Sequence, residues 1–116
     1  MIRTIFITFQ KEGIHCYPAA PAGVEFLKHP HRHIFHFRVT VSVEHNDRDI
    51  EFILFKRELE SIYDTGAMLV DHQSCEMLAE DLINYIVVSY PNRAVSVEVS
   101  EDGENGATLT YIPETA

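Results

Sequence analysis

Between residues 31 and 44 the chain alternates, interrupted only at Ile34. The odd positions read His31, His33, Phe35, Phe37, Val39, Val41 and Val43, and the even ones are mostly polar: Arg32, His36, Arg38, Thr40, Ser42 and Glu44. A two-residue period held for this long describes a strand with one face buried and one in water. It also fixes the pairing register, because a slip of one residue would turn every apolar side chain outward. Shorter alternations flank it. Residues 2–10 place Ile5, Ile7 and Phe9 on one face, and this strand can extend through His15 with a bulge at Gly13. Residues 94–101 carry Val95, Val97 and Val99 in the same way. A turn at 102–106 leads to a last strand at 107–112, and Asn46-Asp47 allows residues 50–54 to pair back as a short strand. Residues 17–23, with Pro18, Pro21 and Gly23, form a loop.

From Phe55 the period changes to that of a helix. Phe55, Leu59, Ile62 and Tyr63 lie on one side, and the helix ends near Gly66. Ser74 is a good N-cap for a second helix with Glu76 in its first turn, Leu78, Leu82, Tyr85, Ile86 and Ser89 along one stripe, and Pro91 beyond its end. The order is strand, strand, helix, helix, strand, strand. That is an α+β class in one domain spanning residues 1–116, with 46% apolar residues to supply its core.

The charge excludes some functions. The net charge is −9, which argues against a role driven by bulk attraction to nucleic acid or to a membrane surface. No apolar run approaches the roughly 20 residues of a membrane span. With two cysteines, Cys16 and Cys75, there is no disulfide framework, and a reduced, cytoplasmic setting is expected. The charge is also uneven. Residues 1–57 carry eight basic and six acidic side chains, whereas residues 58–116 carry one basic, Arg93, and twelve acidic. Between Phe26 and Val43 there is no acid at all, in a window holding Lys28, His29, His31, Arg32, His33, His36 and Arg38. A local basic, His-rich stretch in an acidic chain suits a small anion or a metal ion.

Seven histidines are many for such a chain. Same-face neighbours on a strand lie about 6.5–7 Å apart, so His31 and His33 can reach one ion. His15 falls near them if the loop returns the first strand antiparallel to the second. Three histidines with an open fourth position make the catalytic type of zinc site. His29, His36 and His45 share neither face nor pairing with these and receive no role.

Read together, these features resemble the 6-pyruvoyl-tetrahydropterin synthase and 6-carboxytetrahydropterin synthase family across nearly the whole chain. Glu12 precedes His15 as a glutamate precedes that family's first zinc histidine. His31-Arg32-His33 is similar to its His-Gly-His pair opening a strand. Leu54-Phe55 with Leu59 resembles the start of its first helix, and Asp71-His72 its relay pair. Gln73-Ser74-Cys75-Glu76 is similar to its Pro-Thr-x-Glu helix start, and Val97-Glu98-Val99-Ser100-Glu101 to the strand that ends in its pterin-anchoring glutamate.

The resemblance implies a tunnelling fold, in which an antiparallel four-stranded sheet carries two helices on one face in the order ββααββ. It implies zinc held by His15, His31 and His33, and the lyase reaction on 7,8-dihydroneopterin triphosphate that gives 6-carboxytetrahydropterin, as in the queuosine pathway, or 6-pyruvoyl-tetrahydropterin. Asp71 and His72 would tune the base. Glu101 and Ser74 would hold the pterin, and Arg32, with Lys28 and Arg38 nearby, the triphosphate. It further implies a homo-oligomer, a trimer or hexamer with shared sites.

Two departures qualify it. Leu27 stands where the family has its catalytic cysteine, which leaves Glu25 as the candidate base, and the segment between Asp71-His72 and the second helix is shorter than usual, so that Asp71 has the alternative of capping that helix. The alternatives are a diverged tunnelling-fold protein that binds a pterin or purine without the cysteine chemistry, and a plain α+β interaction module.

Overall fold

A computed structural model describes residues 1–63 and 68–114. Strand β1 (Thr4–His15) pairs antiparallel with β2 (His31–Ser42) over its full length, from Thr4 opposite Ser42 to His15 opposite His31. Helix α1 (Phe52–Ser61) follows, then a short strand β3 (Met68–Asp71), helix α2 (Cys75–Ser89), and strands β4 (Val95–Glu101) and β5 (Asn105–Tyr111). The sheet order is β3-β1-β2-β4-β5. Strands β1, β2, β4 and β5 form the expected four-stranded antiparallel sheet. Strand β3 adds a fifth, parallel to the end of β1, which four residues were too few to announce by periodicity.

The odd-numbered stripe is the core face. Ile7, Phe9, Phe35, Phe37, Val39, Val41, Val95, Val97 and Val99 are buried, in one cluster with Phe55 and Leu59 of α1 and Leu78, Ala79, Leu82, Ile83 and Ile86 of α2. Both helices therefore cover the same face of the sheet. Tyr85 and Ser89, expected on the buried stripe of α2, lie outside it. The Tyr85 and Tyr90 hydroxyls donate to the two carboxylate oxygens of Glu58, at 2.7 and 2.6 Å, and so tie α2 to α1.

Three local expectations change. Residues 50–54 are not a strand: the Glu51 carboxylate accepts the N–H groups of Ile53 and Leu54 (2.7 and 3.0 Å), caps α1, and starts that helix at Phe52. The apolar run there read as a strand because capping by glutamate leaves no periodic trace. Helix α1 stops at Ser61; Gly66, where it was expected to end, lies outside the described residues. Gly13 makes no bulge against β2, and the irregularity falls between Ile14 and His15 on the β3 side. Gly13 instead makes room for Phe35, whose ring would lie 2.7 Å from a Cβ at that position.

The one basic residue of the C-terminal half also finds its purpose here. Arg93 donates to Asp49 Oδ2 at 2.9 Å and to the carbonyl of Ser42 at 3.0 Å, closing the loop before α1 onto the start of β4. The Asp49 carboxyl is lowered from 3.8 to about 2, first by the Arg93 hydrogen bond and then by the backbone N–H of Glu44. A carboxylate depressed in the folded state stabilises the fold above its unfolded pKa, and that contribution disappears as pH falls through the folded value. Asp49→Asn is therefore expected to be less stable than wild type at neutral pH, with the gap closing between pH 3.8 and about 2 in acid titrations followed by circular dichroism. A gap that persists unchanged to pH 2 would contradict this assignment.

Candidate metal centre

At one end of the sheet the buried stripe changes from apolar to polar on three neighbouring strands at once. On β1 the odd face ends in His15, on β2 it begins with His31 and His33, and on β4 it ends in Glu101, which pairs opposite Phe35. Phe35 is fully buried beneath them, with its ring centroid 5.3 Å from that of His15 and 6.0 Å from that of His33. One ligand atom from each of His15, His31, His33 and Glu101 lies within 4.8 Å of the others.

The protonation pattern of the rings follows from their partners. His15 Nδ1 lies 3.2 Å from the carbonyl of Gln73, His31 Nδ1 2.8 Å from the carbonyl of His29, and His33 Nδ1 2.7 Å from Asp102 Oδ2. Carbonyl and carboxylate oxygens only accept, so each Nδ1 carries the proton and donates. Each Nε2 is left with its lone pair. All three Nε2 atoms are buried and have no hydrogen-bond partner. Glu101 Oε2 approaches His15 Nε2 to 2.8 Å and His33 Nε2 to 3.0 Å without making a hydrogen bond to either. Three buried, unpartnered imidazole nitrogens, each ring fixed from behind, fit the three protein ligands of a zinc ion that keeps its fourth position open, with the Glu101 carboxylate beside it.

A cavity of about 540 Å³ opens from this cluster. Its wall includes His15, His31 and Glu101, the N-terminus of α2 at Ser74 and Cys75, His72 and Leu27. Ser74 accepts the N–H of Met77 at 3.2 Å and is the N-cap of α2, so Asp71 does not cap that helix. Cys16, the first residue after β1, is on the wall too. The Cys75 thiol is pushed up to about 11, by burial first and then by the charges of Glu101 and Glu76, and stays protonated at neutral pH.

The remaining expected residues are divided. Asp71 and His72 do pair, at 3.1 Å, and His72 reaches the wall, but both side chains are largely exposed. Glu25 is exposed in the 3₁₀ turn Glu25–Lys28 and accepts the N–H of Gly23 at 3.1 Å, away from the wall. Arg32 sits at an even position, so it projects from the opposite side of the sheet, where it pairs with Glu12 at 3.3 Å. Arg38 likewise lies over the Phe6 ring, 3.9 Å from its centroid. Among the described residues no Lys or Arg lines the cavity. The residue that sequence reasoning missed is Asp102, in the turn expected at 102–106. Its signal was the Asp102-Gly103 pair beside Glu101, a tight-hairpin sequence that folds back onto β2.

No protein-family model matches this chain, and no curated protein matches it.

Zinc is expected to bind at one ion per chain and, at a free concentration 100 times its Kd, to stabilise the fold by about 2.7 kcal/mol. Thermal melts with and without a chelator read this directly, and His31→Ala and His33→Ala should lose both the metal and the shift. Melts that a chelator leaves unchanged, in protein prepared with zinc, would contradict the assignment.

Proposed function

We propose that this chain is a tunnelling-fold, zinc-dependent lyase acting on 7,8-dihydroneopterin triphosphate to form 6-carboxytetrahydropterin or 6-pyruvoyl-tetrahydropterin. The observation that carries the reading is the convergence of the His15, His31 and His33 Nε2 atoms with the Glu101 carboxylate at the mouth of a cavity large enough for a bicyclic ligand. Bound there, zinc would polarise a side-chain hydroxyl of the substrate and lower its pKa. The three histidines, neutral and with tautomers preset by their Nδ1 partners, would hold the ion. Glu101 is the acid–base group nearest that position. Swung toward the cavity, it can instead accept two hydrogen bonds from an aminopyrimidine edge. Ser74 and the first turn of α2 offer polar groups to the ring. His72, paired with Asp71, is the next proton carrier on the wall.

Both outer strands, β3 and β5, leave an edge without a partner among the described residues, and such edges invite pairing with a second copy. A homo-oligomer, trimer or hexamer, belongs to this reading. It would bring the cations for the triphosphate from a neighbouring subunit, since the cavity wall of a single chain has none among its described residues. No described helix is long and apolar enough to cross a membrane, and a reducing cytoplasm would keep Cys16 and Cys75 free.

A second reading keeps the fold and the metal but drops the chemistry: a protein that binds a pterin or purine. Leu27 on the wall, Glu25 away from it and a protonated Cys75 favour it.

Incubating the zinc-loaded protein with 7,8-dihydroneopterin triphosphate separates the two. The lyase releases triphosphate, with acetaldehyde when the carboxy product forms. Binding without release supports the second reading, and neither binding nor release contradicts both. Light scattering at micromolar concentration is expected to show three or six chains per particle, and a monomer would remove the shared-site element.

A further inference from the structure

We infer that Asp102 is a positioning residue that locks His33 into its metal-ready tautomer, and that it must be a carboxylate to do so. The inference rests on reading the three imidazoles as a metal site.

Asp102 sits at the turn between β4 and β5 with φ 58°, and Gly103 follows at φ 73°. The two left-handed residues turn the chain back onto β2. Three hydrogen bonds then fasten Asp102 there. Its own N–H donates to the carbonyl of Ile34 at 2.7 Å. Its Oδ1 accepts the Ile34 N–H at 2.9 Å. Its Oδ2 faces His33 Nδ1 at 2.7 Å.

This arrangement demands two acceptors from one side chain. An amide of the same shape supplies one. In Asp102→Asn the Ile34 N–H is backbone and cannot change, so the amide oxygen stays with it and the NH₂ turns to His33 Nδ1. Two donors then face each other, and only the imidazole can yield. Moving its proton to Nε2 makes Nδ1 an acceptor and removes the lone pair that a metal needs. The nearly isosteric substitution is thus the damaging one. Asp102→Gly is the contrast: glycine suits the left-handed backbone, and water can accept from Nδ1–H in place of the carboxylate. His15 and His31 have no such sensitivity, because their Nδ1 partners are the carbonyls of Gln73 and His29, which no substitution converts into donors.

The test measures zinc affinity by chromophore competition for wild type, Asp102→Gly and Asp102→Asn. Outer-shell losses of this kind cost about 10- to 100-fold in metal affinity. The expected order is wild type tightest, the Gly variant about tenfold weaker and the Asn variant about a hundredfold weaker. A merely structural role predicts the reverse, with Gly the worse of the two because it loses every side-chain bond. Asn binding as tightly as wild type, or more tightly than Gly, overturns the inference.

Long-range ¹H–¹⁵N spectra of the metal-free proteins supply a second readout at mildly alkaline pH, where imidazole is neutral. His33 should carry its proton on Nδ1 in wild type and on Nε2 in Asp102→Asn, and the same tautomer in both contradicts the inference. Wild-type protein that binds no zinc would end the metal reading, while the tautomer comparison would still decide the role of Asp102. If the Asn variant melts far below wild type, the spectra of the Gly variant decide: a shift of the His33 proton toward Nε2 supports the lock, and Nδ1–H retained as fully as in wild type overturns it.

Discussion

The unbroken antiparallel pairing of β1 with β2 is the constraint on which the site depends. Twelve residues of each strand run in register, from Thr4 opposite Ser42 to His15 opposite His31. Because side chains alternate, the same register that buries Ile7, Phe9, Phe35, Phe37, Val39 and Val41 also turns His15, His31 and His33 to the core side. The metal centre is the polar end of the hydrophobic stripe, with no separate scaffold of its own. A one-residue slip would expose the core and scatter the ligands together. Burial of a large apolar face therefore guarantees the ligand geometry, and Phe35, packed over Gly13, forms the floor where the two regimes meet.

The strands set where the rings are, and the irregular segments set what state they are in. The carbonyls of His29 and Gln73 come from the turns that precede β2 and α2, and the Asp102 carboxylate from the turn that follows β4. Each accepts from an Nδ1–H and so frees an Nε2 lone pair. The uneven charge of the chain has a related outcome. The acid-free window did not deliver cations to the cavity, since Arg32 and Arg38 fall on the far side of the sheet. The acidic half instead contributes Glu101 and Asp102 to the imidazoles that the basic half supplies.

Much of this was legible in the sequence. The alternation of residues 31–44 and of the valines around 97 gave the sheet, because a half-buried strand imposes a period that survives in a single chain. The His31-x-His33 spacing and the position of His15 gave the candidate ligands by the same geometry. Ser74 gave the start of α2. What stayed hidden was non-periodic. Strand β3 spans four residues and depends on pairing with the end of β1. The Glu51 cap converts a strand-like run into the first turn of α1. Arg32 was drawn to the site by nearness in sequence, although its even position points it away. Asp102 was hidden by its acidic neighbours, because its role arises only when the β4–β5 turn meets β2. Glu101 was placed at the pterin, and the fold sets its carboxylate against the imidazoles.

The central claim is that the folded chain holds zinc by three imidazole nitrogens. X-ray absorption at the zinc edge of the metal-loaded protein tests it most directly. The account predicts a first shell of nitrogen and oxygen only, near 2.0–2.1 Å, with the outer-shell scattering of three imidazole rings. Sulfur in the first shell at about 2.3 Å would mean that Cys16 or Cys75 holds the metal instead, and would contradict the account.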